Sequence, residues 1–208
     1  MKSPLPKVLH PVAGAPMVVW AIEAALQSGS DQVVLVVGHE RQQVIDAVRA
    51  RFAERVQFAV QEHQRGTADA ARAGLSVLSH DVTDVEITYG DVPCVPAAAL
   101  KQLAEIRQSQ GAPMAMMTTT VDDPTGYGRV LKEPKGRIVA VREHKDCSPD
   151  ELKERCVNPG LYSVDRKFLE TFLGTISSNN AQKEFYLTDL VALAARAGGV
   201  AELAWEPL

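Results

Sequence analysis

The chain is poor in cysteine, with only Cys94, Cys147 and Cys156. An odd number with no CxxC spacing argues against a disulfide scaffold and a structural zinc site, and fits a reducing, cytoplasmic setting. No apolar run reaches the roughly 18 residues that a membrane-spanning helix needs. The opening "MKSPLPKVLHPVAGAPM" has no signal-peptide hydrophobic region. There is no long basic run and the net charge is −4. Neither a membrane nor nucleic acid is therefore an expected partner, although an acidic chain can still hold a phosphate in a local basic pocket. Internal repeats, low-complexity tracts and a Pro/Gly/Ser-rich join are missing too, so two independent domains are the weaker organisation. What remains is a soluble globular composition, 208 residues with 46% apolar and 23% charged, enough to bury a useful core. Oligomeric state is left open.

Strand-like and helix-like segments alternate along the first part. "MVVWAIEAALQSG" has helical spacing, and "DQVVLVVGH" is a continuous β-branched run suited to a strand buried on both faces. "RQQVIDAVRARF" reads as helix, "VQFAVQ" as strand, "GTADAARAGLSVL" as helix and "DVEITYGD" as strand. "PAAALKQLAEIRQSQG" is a further helix and "APMAMMTTTV" a further strand. This order predicts an α/β fold with a mostly parallel sheet flanked by helices. After Val121 the pattern changes. "YGRVLKEPKGRIVAVREHKD" predicts a hairpin turning at "EPKG", "VNPGLYSVD" a strand, and "RKFLETFLGTI" and "LTDLVALAARAG" helices. Residues 1–121 thus form one part and residues 122–208 a mixed α+β part beside it.

Several short stretches combine residue types that carry chemistry. Lys7 and His10 sit in a Pro-rich segment, either a solvated loop or a cation at the carboxyl end of a sheet, where nucleotides bind in open α/β folds. Gly66-Thr67 in "QEHQRGTADAA" opens a helix directly after a strand, so its free N–H groups suit an anion or a base edge; an ordinary Thr N-cap is the alternative. It is neither a Walker loop nor a dinucleotide GxGxxG. "ITYGDVP" ends a strand with Tyr89, Gly90 and Asp91, a hard oxygen ligand suited to Mg²⁺ or simply an Asp turn before Pro93. In "DDPTGYGRV", Gly128 allows close backbone approach or makes a turn. Glu143 in "VREHKD" and Asn158 in "VNPGLY" lie near strand ends, placed to bind sugar hydroxyls or to brace the fold. His63, His80 and His144 lack metal-ligand spacing, and no GxSxG elbow or Cys/His pair supports a covalent nucleophile. In "NNAQKEFYLTDLV", Thr188 or Asp189 can cap a helix whose buried face carries Leu187, Leu190 and Val191, and a polar run precedes it.

Taken in order, "LPKVLHPVAGAPM", "QEHQRGTADA", "YGDVP", "DPTGYGRV", "VREHKD", "VNPGLY" and "NNAQKEFYLTDLV" resemble the uridyltransferase (pyrophosphorylase) domain of the bacterial bifunctional N-acetylglucosamine-1-phosphate uridyltransferase/glucosamine-1-phosphate acetyltransferase family. The resemblance runs from Lys2 to about Ala201. YGD is shared with other sugar nucleotidyltransferases, whereas the combination of "LPKVLH", "GYGRV" and "NNAQ.E.Y.TD" is more specific. It implies a Rossmann-like nucleotidyltransferase fold with a nucleotide-binding and a sugar-binding part. It also implies a Mg²⁺-dependent reaction of UTP with N-acetylglucosamine 1-phosphate, giving UDP-N-acetylglucosamine and pyrophosphate for cell-wall precursor synthesis. By resemblance Lys7 contacts phosphate, and Gln61, Gly66 and Thr67 hold the uracil and nearby groups. Tyr89, Gly128, Glu143 and Asn158 line the sugar site, and Asp91 and Asn180 bind Mg²⁺. A related enzyme for another sugar phosphate, or a nucleotide-binding protein without turnover, are the alternatives.

Three departures temper what the resemblance implies. The family's pattern begins with an apolar strand and L-A-A-G-x-G-T-R-M, whereas this sequence starts at "MKS". Without that central strand, two neighbours would expose ladder groups, and the triphosphate-wrapping glycines and arginine would be lacking. The expectation is a chain of poor stability and weak catalysis, from a gene model begun at an internal methionine; the upstream reading frame tests it. Ala15 stands where the family commonly has lysine. The hexapeptide repeats of the family's acetyltransferase domain are not in this sequence, so acetyl transfer and the trimerisation linked to it are not expected of it.

Overall fold

The computed structural model describes residues 3–38 and 41–206. The predicted strand over 31–39 thus ends, at His39, outside the described residues, as do Met1 and Lys2. The Pro-rich opening is held by a 3₁₀ turn over Lys7–Leu9, whose Leu9 is buried, followed by a small antiparallel pair, β1 (Pro11–Val12) and β2 (Ala15–Pro16). Helix α1 (Met17–Gln27) buries Val18, Val19 and Ile22 on the stripe its apolar spacing marks out. β3 (Val34–Val37), α2 (Arg41–Phe52) and β4 (Gln57–Val60) make a right-sized β-α-β unit, and β3 and β4 pair in parallel. Leu9, Val18, Ile22, Val44, Val48 and Phe52 close one core around it.

α3 (Thr67–Leu75), β5 (Asp84–Ile87), α4 (Ala97–Gln110) and β6 (Met114–Thr120) continue the alternation that the sequence predicts. The hairpin is also present, as β7 (Gly128–Lys132) and β8 (Ile138–Arg142). The single strand predicted in "VNPGLYSVD" is two, β9 (Cys156–Asn158) and β10 (Tyr162–Asp165), because Pro159 and Gly160 break it. α5 (Arg166–Phe172), α6 (Asp189–Ala197) and a strand the periodicity did not reveal, β11 (Val200–Ala204), complete the described elements.

The α/β class stands, but the expectation of a mostly parallel sheet is corrected. The main sheet runs β5-β10-β6-β9-β7-β8, with β11 on the other edge of β6. Only β6 with β11 is parallel in it; β10 pairs antiparallel with both β5 and β6, and β9 antiparallel with β6 and β7. The reason is long-range. β10 comes back from the second part of the chain and inserts between β5 and β6, so these neighbours in sequence are not neighbours in the sheet.

β3 and β4 form a separate two-stranded sheet. β3 pairs only with β4 and β5 only with β10, so each has one edge outside any ladder among the described residues. Between them lies a slot of about 590 Å³, lined among others by Val34, Val36, Val85, Ile87, Ala70 and Leu100. The continuous apolar run of β3 is consequently only half-buried at Val34, Leu35 and Val36. Tyr89 and Gly90, just beyond β5, line this slot, and the candidate residues Gln61 and Asp91 lie in the segments that follow β4 and β5.

Candidate active site

The segment after β5 carries Asp91, and the turn over Lys7–Leu9 lies against it. Lys7 Nζ sits 2.7 Å from Asp91 Oδ2, with the lysine side chain largely exposed and the aspartate about a third exposed. In water such a pair contributes only about 0–1 kcal/mol. Its interest is that it juxtaposes a mobile cation and a hard anionic oxygen at the end of an α/β strand. Burial of Leu9 is what ties this otherwise irregular segment to the core.

The second group starts one residue beyond β4. Gln61 donates its Nε2 to the Gly66 carbonyl at 3.1 Å and to Asp69 Oδ2 at 3.1 Å. Gly66 has φ +116°, and a Cβ there would lie 2.5 Å from the Phe185 carbonyl oxygen. Only glycine fits both the conformation and the contact. The 185–187 segment clasps this loop: Phe185 N donates to Arg65 O, Ala68 N to Phe185 O, and Leu187 N to Thr67 Oγ1. Thr67 is therefore a tie between distant segments and not an N-cap. Asp69, nearly buried, receives Arg65 at 2.9 Å and Arg72 at 3.4 Å on Oδ1. Burial pushes its carboxyl up, but hydrogen bonds from Gln61 and Arg65 and the charges of Arg65 and Arg72 outweigh this and hold it below the usual carboxylate range.

The third group joins three strands. Gly128 opens β7 opposite Asn158 at the end of β9, and a Cβ on Gly128 would stand 3.5 Å from Glu143 Oε1. Asn158 Nδ2 donates to Tyr162 Oη at 2.6 Å, and Asn158 Oδ1 accepts from Gly160 N at 3.0 Å. Glu143 accepts from Thr188 Oγ1 at 2.9 Å. Burial first, then the Asp146, Asp189 and Glu184 charges, raise the Glu143 carboxyl, and the Thr188 bond opposes them. Tyr89 is pushed up to about 12 by burial and by the Glu143 charge. Tyr89, Gly128, Glu143 and Asn158 are thus brought into one cluster from the segments just after β5 and β8 and from β7 and β9.

Asn180 lies in the loop before α6. Its Nδ2 donates to Glu184 O at 2.6 Å and its Oδ1 accepts from Glu184 N at 3.2 Å, so the side chain closes its own loop. Asp146 Oδ1 accepts from Ala181 N at 2.8 Å and ties that loop to the Glu143 segment. Asp91 and Asn180 share no direct hydrogen bond; each has the partner just given. As a donor set for Mg²⁺, one carboxylate and one amide oxygen fit: both are hard oxygens and leave positions for water and phosphate. Among the described residues no three His, Cys, Asp or Glu side chains converge.

Sequence reasoning missed Asp69, Tyr162, Gly160, Thr188 and Asp146. Asp69 reads in sequence as a first-turn helix charge. Thr188 reads as a cap, whereas in the fold its hydroxyl goes to Glu143 with no side-chain cap bond. The one available signal was the tight string "VNPGLY", whose Asn, Gly and Tyr all prove to touch one another's neighbourhood.

A model of the nucleotidyl transferase family matches residues 2–204. The chain is 43% identical over 205 residues to "Bifunctional protein GlmU" of Sorangium cellulosum, covering 97% of this chain and 43% of that protein. It is 44% identical over 200 residues to the protein of the same name from Pelobacter propionicus, covering 95% and 43%. The chain therefore spans less than half the length of these curated relatives. Among solved structures, apo UDP-glucose pyrophosphorylase superposes with a TM-score of 0.78 at 15% identity, over 97% of this chain and 83% of that one. No helix of the described residues is long and apolar enough to cross a membrane.

Proposed function

Because this chain belongs to the nucleotidyl transferase family, we propose that it transfers UMP from UTP to N-acetylglucosamine 1-phosphate, releasing pyrophosphate and forming UDP-N-acetylglucosamine. The observation that carries this reading is the cluster of Tyr89, Gly128, Glu143 and Asn158 beyond the carboxyl end of β5. It offers an acceptor, an amide and a backbone platform for sugar hydroxyls and an N-acetyl group. The Gln61, Gly66 and Thr67 loop next to it offers amide, backbone and hydroxyl groups for the base. The sugar phosphate oxygen attacks the α-phosphorus in line, and the pyrophosphate leaves on the opposite side. Such transfer depends on positioning and charge neutralisation, so no side-chain nucleophile is required. Lys7 supplies a positive charge to phosphate once released from Asp91, and Glu143, held by Thr188, orients the sugar. Asp91 and Asn180 would hold Mg²⁺, which would supply neutralisation of phosphate charge.

The test is pyrophosphate release from UTP in the presence of a panel of sugar 1-phosphates. Release with N-acetylglucosamine 1-phosphate well above that with glucose or galactose 1-phosphate is expected. Equal or greater release with another sugar phosphate would move the assignment to that substrate. A second reading, nucleotide binding without turnover, draws on the open slot between β3 and β5, which leaves the walls of the nucleotide part unpaired. Product binding by calorimetry with no pyrophosphate release would favour it.

A further inference from the structure

Gln61 leaves β4 with its side-chain amide already oriented. Its nitrogen lies 3.1 Å from both the Gly66 carbonyl oxygen and Asp69 Oδ2. A backbone carbonyl and an ionised carboxylate accept hydrogen bonds and cannot donate them. The partners themselves therefore fix the sense of the amide: nitrogen inward, both protons engaged, oxygen outward. Among the described residues, Gln61 Oε1 receives no hydrogen bond. Asp69 cannot turn away, because Arg65 and Arg72 hold its other oxygen. Arg65 is in turn stacked 5.9 Å over the Phe185 ring, so the holder is itself held.

We propose that Asp69, acting through Gln61, is the positioning residue that sets base selection. It presents an acceptor oxygen to the nucleobase edge, and so favours a base with an N–H there, as uracil has at N3. Cytosine offers a lone pair at the same place, so two acceptors would face each other with no proton between them. An unsatisfied polar pair of this kind lowers affinity by about tenfold or more. Guanine shares the donor and is separated by size instead. The inference rests on Gln61 meeting the base, as the functional reading has it. It adds which residue decides the sense of that contact.

Calorimetric titration of UTP and CTP into the full chain tests it. The unaltered chain is expected to prefer UTP by about tenfold or more. In Asp69→Asn, nearly the same shape, the oxygen stays with the arginines and an NH₂ faces Gln61. The Gln61 amide is then drawn both ways, oxygen inward toward that NH₂ and nitrogen inward toward the Gly66 carbonyl, so its sense is no longer fixed. The UTP:CTP affinity ratio should fall by about tenfold, with CTP binding tightened. Should Asp69→Asn lose its cooperative melt, Asp69→Ser serves: its hydroxyl donates or accepts, so only the Gly66 carbonyl still orients the amide, and the ratio should fall part of the way toward one. An unchanged ratio in a folded variant, or parallel weakening of both nucleotides, would overturn the inference, since a purely structural role predicts the latter. Failure of the unaltered chain to bind either nucleotide would overturn the functional reading itself and this inference with it, before any variant is compared.

Discussion

Gly160 shows how much a single residue decides in this fold. It has φ +87°, and a Cβ built on it would stand 2.1 Å from Cε2 of Tyr89. Its N–H meets Asn158, whose amide in turn meets Tyr162. The kink that separates β9 from β10 and the packing of Tyr89 thus depend on the absence of one carbon. Gly160→Ala is expected to lower stability by about 1–3 kcal/mol, read as a lower denaturant midpoint. It should also weaken sugar-phosphate binding, because Tyr89 must move. An unchanged midpoint would mean that Tyr89 has free room and that the close approach is unimportant. The same stretch shows where sequence reading stops. "VNPGLY" advertises a turn, and Asn158 is legible as a polar residue at a strand end. That Gly160 lies against a ring seventy residues earlier in the chain is a tertiary fact with no local trace.

Among the elements, β5 has one atypical member. Glu86 lies between Val85 and Ile87 in a strand that opens on Asp84, and it accepts from the buried Ser163 Oγ at 3.3 Å. Burial raises its carboxyl above the usual range, and the Ser163 bond only partly opposes this. With the folded pKa above the unfolded one, ionisation at neutral pH disfavours the folded state. Glu86→Gln, which keeps an acceptor for Ser163, should therefore raise the melting temperature at pH 7. The gain should shrink as pH falls through the folded pKa and vanish below the unfolded one, where both forms are protonated. Melting curves of the two proteins at pH 7 and pH 4 check this; a gain that is the same at both would contradict it. Helices α1 to α4 were legible because a 3.6-residue stripe is written locally, as at Val18, Val19 and Ile22. The pairing of β10 between β5 and β6 was not, because a strand's own residues do not name its neighbours. β11 was missed for a related reason: "VAELA" is short and acquires its strand character from β6.

Across the molecule, contacts tie together segments from opposite ends of the sequence. The opening turn brings Lys7 to Asp91, the 61–69 loop is clasped by Phe185 and Leu187, and Asp146 fixes the loop that carries Asn180. The motifs pointed to the residues proposed for the site, and the fold shows ties between their segments. Asn180→Ala removes one proposed metal ligand and the brace to Glu184, in a loop whose neighbours are mostly exposed. It is expected to raise the Mg²⁺ concentration for half-maximal turnover severalfold while shifting the melting temperature little; full activity at low Mg²⁺ would show that the ligand lies elsewhere. The central proposal is met most directly by ³¹P NMR of the chain incubated with UTP, N-acetylglucosamine 1-phosphate and Mg²⁺. The expected result is the growth of UDP-N-acetylglucosamine and pyrophosphate signals in equal amounts, dependent on all three additions. Persistence of both substrates, with neither signal appearing under conditions in which the chain is folded, would contradict it.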